Sequence, residues 1–141
     1  GSEGLLTSYA KCCRPIPGDP IVGHISKGRG MVIHHESCHN VSDIRDNPEK
    51  CVFLTWDDDL NGEFYTALKI LVEAETGIIA NIASAVSEAD AAIDRINREE
   101  RDAKTSVIVL EVGVRDRQHL ANVVRHIRRI KPVTKISRIR A

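Results

Sequence analysis

The stretch Phe64–Ala89, FYTALKILVEAETGIIANIASAVSEA, changes its apolar period half-way along, and that change decides the fold. In the first half Leu68, Ile70, Val72 and Ala74 recur at every second residue, which places them on one face of a strand. In the second half Ile78, Ile79, Ile82, Val86 and Ala89 keep helical spacing, with Thr76 as the expected N-cap. Gly77 lies between the two and allows the tight turn that a strand running into a helix needs.

Downstream, AAIDRINREER (Ala91–Arg101) has the polar, weak pattern of an edge strand, and a turn near Asp102 leads into TSVIVLEVGV. There Ile108, Leu110, Val112 and Val114 alternate, as one face of a buried strand should. Asp116 can cap a second helix whose stripe is Leu120, Val123, Val124, Ile127 and Ile130, ended by Pro132. VTKISRIR closes the pattern as a strand. The order β-α-β-β-α-β is the ferredoxin-like arrangement, an antiparallel sheet with both helices on one face.

Upstream, DDDLNG (Asp57–Gly62) is acidic and turn-prone, and a domain boundary belongs there. The expected chain is therefore α+β: a small, mostly β module over residues 1–58, then the ferredoxin-like domain over 61–141. The module holds four of the five prolines, all four cysteines and four of the six histidines. IVGHIS and GMVIHH read as strands joined by KGRG, whose Gly28 and Gly30 suit a tight turn. A short helical segment over Cys38–Arg45 and a strand at CVFLTW complete it.

A length of 141 residues with 42% apolar content suits one ordinary domain or two small ones. No apolar run approaches the roughly 20 residues that cross a bilayer. Gly1 and Ser2 resemble a remnant of tag cleavage, so the expectation is a piece of a longer cytoplasmic protein with no membrane partner. Net charge is zero but lopsided: from Arg115 to Ala141 there are nine basic residues against Asp116 alone. Such a block can attract a polyanion, or it can be a plain solvated helix face.

AKCCRPIPGD (Ala10–Asp19) raises a separate question. Without a secretory signal, paired disulfides are not expected, and metal binding competes with inert burial. Cys12, Cys13, His34 and Cys38 supply the atom types that zinc takes, and the spacing of His34 and Cys38 suits one helical turn. Adjacent residues of an extended chain point to opposite faces, so Cys12 and Cys13 need a bend, which Arg14-Pro15-Ile16-Pro17 can provide. His24, His35 and His39 are spare nitrogens, and Cys51 reads as packing. Under the competing reading Cys13 and Cys38 are small core side chains. A module this small offers no cleft for Cys-His catalysis, and no phosphate-binding loop occurs.

AKCCRPIPGDPIVGHISKGRGMVIHHESC resembles the cysteine-containing module near the C-terminus of the long RelA/SpoT-type (p)ppGpp synthetase/hydrolases of the stringent response, called the zinc-finger or ribosome-intersubunit domain. The second half resembles the ACT domain that follows it in that family. CCRPIPGDP and VIHHESC look closer to the SpoT-like bifunctional branch. The resemblance implies a Cys-Cys-His-Cys metal set at Cys12, Cys13, His34 and Cys38. It also implies catalytic domains, with their own divalent metal, that lie N-terminal to this region, which itself turns over no nucleotide.

Its implied role is regulation, through ribosomal RNA around the A-site tRNA or through the enzyme's own catalytic domains. Lys27, Arg29, Arg125, Arg128, Arg129 and Lys131 are the RNA-contact candidates, with Lys11 and Arg14 as extensions and Tyr9 and Trp56 as stacking platforms. ACT domains commonly bind amino acids after the first strand, often across a homodimer. The corresponding residues here are Glu75, Thr76, Gly77, Ile78, Ile79 and Asn81. The familiar loop reads Asp-Arg-Pro-Gly, from which Glu75-Thr76-Gly77 departs, so an amino-acid sensor and dimerisation module stands as the alternative reading.

Overall fold

The computed structural model describes residues 6–41, 47–58, 60–100 and 102–139, which divide at Leu60/Asn61 into two compact units.

In the first unit four strands, β1 (Thr7–Tyr9), β2 (Ile21–Ser26), β3 (Gly30–His35) and β4 (Cys51–Leu54), pair in the order β1-β3-β2-β4. The β2–β3 hairpin matches Ile21 with His35 and Ser26 with Gly30, and β4 runs antiparallel along the other side of β2. Strand β1 pairs parallel to β3, with Thr7 opposite Met31. Its three exposed residues are too short for an alternating pattern, which is why the sequence does not announce it. Gly30 has φ +74° and lies so close to the Leu6 carbonyl that a side chain there would collide with it. Ala10, Cys13, Val22, Val32, Cys38 and Val41 form the core on one face of the sheet, with Cys12 and Cys51 packed against it. In place of a helix starting at Cys38, a 3-10 turn covers His39–Val41; residues 42–45 of the expected segment lie outside the described residues.

The second unit runs β5 (Phe64–Glu73), α1 (Ile78–Glu88), β6 (Ala92–Glu100), β7 (Thr105–Val114), α2 (Arg117–Arg128) and β8 (Val133–Arg138). Its sheet order is β6-β7-β5-β8, wholly antiparallel, so polar β6 is an edge as expected. Register places Leu68 opposite Leu110 and Ile70 opposite Ile108. These four, with Val72 and Val112, are buried together with Ile78, Ile82 and Val86 of α1 and Leu120, Val123 and Ile127 of α2. Each fully buried side chain of this size contributes about 1.5–3 kcal/mol. Ala74, beyond the end of β5, is exposed, and Val124 and Ile130 are half-buried.

The helix starts differ from one another. Asp116 caps α2 as expected, its carboxylate accepting the His119 N–H at 2.8 Å. Thr76 does not cap α1: the N-cap is Gly77, at φ 82° and ψ 7°, without a side-chain bond. The turn out of β5 needs a left-handed residue at the cap itself, and there glycine outweighs a side-chain acceptor. Buried His119 then ties the helices together. Its Nδ1 accepts the Arg115 N–H at 3.0 Å, so the proton sits on Nε2 and is donated to the Ala89 carbonyl at 2.8 Å.

Candidate metal centre

Cys12 and Cys13 lie in a single turn closed by the Arg14 N–H on the Ala10 carbonyl at 3.0 Å, with Arg14 left-handed at φ 44°. On a helical turn neighbouring side chains stand about 100° apart rather than opposed, so both sulfurs reach one side. The bend thus comes from the Ala10–Arg14 turn itself and not from the prolines. Those build the next turn, Ile16-Pro17-Gly18-Asp19, closed by the Asp19 N–H on Ile16 at 3.0 Å with Gly18 at φ 98°. His34 is the last residue but one of β3, opposite Val22, and Cys38 follows in a turn where its N–H meets the His35 carbonyl at 3.0 Å. The two are joined by a strand end and a turn, not by the expected helical turn.

These elements bring one ligand atom from each of Cys12, Cys13, His34 and Cys38 within 4.8 Å of one another. Cys12 Sγ lies 3.5 Å from His34 Nδ1, 3.6 Å from Cys38 Sγ and 4.0 Å from Cys13 Sγ, and Cys13 Sγ lies 3.8 Å from His34 Nδ1. A tetrahedron with metal–sulfur bonds of about 2.3 Å has edges of about 3.8 Å, so the donor set fits a tetrahedral metal ion. Cys13 and Cys38 do also belong to the apolar core. Inert packing accounts for those two, but not for a half-exposed Cys12 and a histidine nitrogen at the same separations.

Burial keeps two of the three thiols protonated until a cation arrives. Burial pushes the Cys13 thiol up to about 12, against the opposing pull of the His35 N–H, and burial raises Cys38 too. Burial also works against ionising Cys12, but hydrogen bonds from Asn40, Cys38 and Cys13 prevail and lower it. His34 is lowered by burial and by His24, which keeps its nitrogen lone pair available. A divalent ion supplies the charge that several converging thiolates require.

Of the spare nitrogens, His39 is exposed, His24 lies on β2 opposite Cys51, and His35 turns toward Asp19, with Nε2 3.8 Å from its carboxylate. Sequence reasoning passed over Asp19 and Ser37; the Pro-Gly-Asp turn was the available signal for the former. Of the cationic candidates, Lys27 and Arg29 are exposed in the β2–β3 turn. Arg125, Arg128, Arg129 and Lys131 are exposed on or just after α2 in the other unit. Tyr9 and Trp56 stack on each other, with centroids 5.7 Å apart, and wall a cavity of about 440 Å³ floored by Ile21, Met31 and Ile33. Glu75, Thr76, Gly77 and Asn81 are exposed around the start of α1, whereas Ile78 is buried and Ile79 half-buried.

Residues 1–57 match the RelA/SpoT RIS domain family and residues 60–138 the ACT domain family. The chain belongs to the ACT domain family, with a RelA/SpoT RIS domain ahead of it. It is 42% identical over 140 residues to the bifunctional (p)ppGpp synthase/hydrolase SpoT of Escherichia coli, covering 99% of this chain and 20% of that protein. A GTP pyrophosphokinase of Myxococcus xanthus is 30% identical over 141 residues, covering 99% of this chain and 18% of that enzyme. The chain thus spans about a fifth of the length of these relatives. The ACT domain of a Chlorobium tepidum GTP pyrophosphokinase superposes with a TM-score of 0.48 at 21% identity, over 55% of this chain and 99% of that one. Among the described residues no helix is long and apolar enough to cross a membrane.

Proposed function

We propose that this chain is a non-catalytic control region of a cytoplasmic (p)ppGpp synthase/hydrolase, and that it acts by engaging ribosomal RNA or tRNA. The observation that carries this reading is the outer face of α2 and the turn after it, where Arg117, Arg125, Arg128, Arg129 and Lys131 are all exposed. Phosphate recognition suits such a face, since the aromatic pair of the RIS domain is stacked on itself. Zinc at Cys12, Cys13, His34 and Cys38 staples an RIS domain whose core is small. Co-sedimentation of the chain with ribosomes tests the reading: binding lost in the Arg125→Gln/Arg128→Gln/Arg129→Gln variant supports it, and undiminished binding removes it.

A second reading takes the ACT domain as an amino-acid sensor that works across a homodimer or on the enzyme's own catalytic domains. It is favoured by the N-terminus of α1, where an added Cβ at Gly77 meets nothing within 4 Å and no side chain caps the first turn, a setting that suits a ligand carboxylate. Calorimetry against the twenty amino acids tests it, and silence at millimolar concentration rejects it.

A further inference from the structure

A buried carboxylate stands beside the four ligands without being one of them. Asp19 is 3% exposed; its Oδ2 accepts the Ile16 N–H at 2.8 Å and its Oδ1 lies 3.8 Å from His35 Nε2. His35, 4% exposed, accepts the Ser37 N–H on Nδ1 at 3.1 Å, with Ser37 Oγ 2.8 Å from the same nitrogen. A backbone N–H can only donate, so Nδ1 carries the lone pair and the proton of neutral His35 sits on Nε2, aimed at Asp19. Nδ1 is engaged before any metal arrives, and Nε2 faces the Asp19 carboxylate at 3.8 Å, a long ion-pair separation rather than a hydrogen bond. His34, the preceding strand residue, faces the other way and presents Nδ1 to the cysteines.

The main chain of His35 touches two of the sulfur ligands as well. Its N–H donates to Cys13 Sγ at 3.2 Å, and its carbonyl accepts the Cys38 N–H at 3.0 Å. Asp19 meanwhile closes the Ile16–Asp19 turn twice, once through its own N–H and once through its carboxylate. The segment that leaves Cys13 and the strand end that carries His34 are thus tied by the His35 N–H on Cys13 Sγ, and the Asp19 carboxylate that holds the turn faces the His35 ring at 3.8 Å.

We propose that Asp19, His35 and Ser37 are the positioning residues of the metal centre, fixing both sulfur-bearing segments and deciding which of the two adjacent histidines binds the ion. This rests on the metal reading given above. Outer partners of this kind orient ligands, and their loss typically costs about 10–100-fold in metal affinity. Asp19→Asn is the telling change, because it keeps the shape. If the Asn carbonyl retains the Ile16 N–H, its NH2 opposes the protonated Nε2 of His35, donor against donor.

The test is a Co(II) titration of the whole chain against a competing chelator, with iodoacetamide labelling of Cys13 in the metal-free chain followed by mass spectrometry. We expect Asp19→Asn to weaken Co(II) binding by about 10–100-fold while keeping the thiolate absorption bands at saturation. Cys13, 1% exposed in the intact chain, should then label faster without metal. Circular dichroism checks that the variant is folded; if it is not, Ser37→Ala carries the test, with a smaller loss of affinity and the same faster labelling expected, since the backbone N–H on His35 Nδ1 remains. Unchanged affinity and unchanged labelling in a folded variant overturn the proposal and leave the metal reading intact. If the unaltered chain takes up no Co(II), the metal reading fails, and labelling alone decides the positioning role: faster in the variant supports it, equal rates reject it.

Discussion

Neutralising the arginine face of α2 should change how RNA binding responds to salt, by an amount that can be worked out in advance. Arg117, Arg125, Arg128, Arg129 and Lys131 are five exposed cations on one helix and the turn after it. Each phosphate neutralised on a duplex steepens the fall of log K against log salt by about 0.9, so a fourfold rise in salt weakens binding about 3.5-fold per contact. With all five engaged, affinity falls roughly 500-fold between 50 and 200 mM salt; with three arginines changed to glutamine, it falls only about 12-fold. Fluorescence anisotropy with a labelled structured RNA at four or five salt concentrations measures both slopes. The refuting result is a triple variant whose slope equals that of the unaltered chain, because the arginines would then not lie on phosphates.

Further consequences concern the metal, pH and the helix tie. Zinc at about 100 times its Kd adds about 2.7 kcal/mol to the RIS domain, or about 10–20 °C in Tm for a unit of this size. Scanning calorimetry should show that shift removed by Cys38→Ser, with the ACT transition unmoved. In the metal-free chain Cys13 is raised from 9.0 to about 12, so its contribution is complete below pH 9.0 and is lost as pH rises toward 12. His34 is lowered from 6.5, so its contribution is complete above pH 6.5 and is lost as pH falls below it. Urea midpoints across pH 5–11 should therefore form a dome for the RIS domain, and a flat profile contradicts both assignments. His119→Ala strands the Ala89 carbonyl and the Arg115 N–H. It should cost the ACT domain about 1–3 kcal/mol in urea denaturation and leave the RIS domain untouched.

The ACT domain was legible because its elements are long and its periods clean: alternate burial of Leu68, Ile70, Val72, Ile108, Leu110 and Val112 is a signal repeated over two strands of ten residues. The RIS domain was harder. Strand β1 has three exposed residues and a parallel partner 24 positions away, so nothing local marks it. The ligand residues could be chosen by atom type, but their convergence depends on the left-handed Arg14 that closes the Ala10–Arg14 turn, and no residue preference announces a positive φ at arginine. His34 and His35 are chemically identical in sequence. Only the strand's alternation, with Asp19 and Ser37 on one side and the cysteines on the other, separates them. Thr76 misled because a good capping side chain stood one residue before a turn that needed glycine at the cap.

The most direct test of the account is the metal content of the purified chain, measured by elemental analysis after dialysis without chelator, beside Cys12→Ser and Cys38→Ser. Four donor atoms within 4.8 Å of one another predict about one zinc per chain, reduced to trace in both variants. A well-folded chain with no metal, or one whose zinc persists without Cys12 and Cys38, contradicts it.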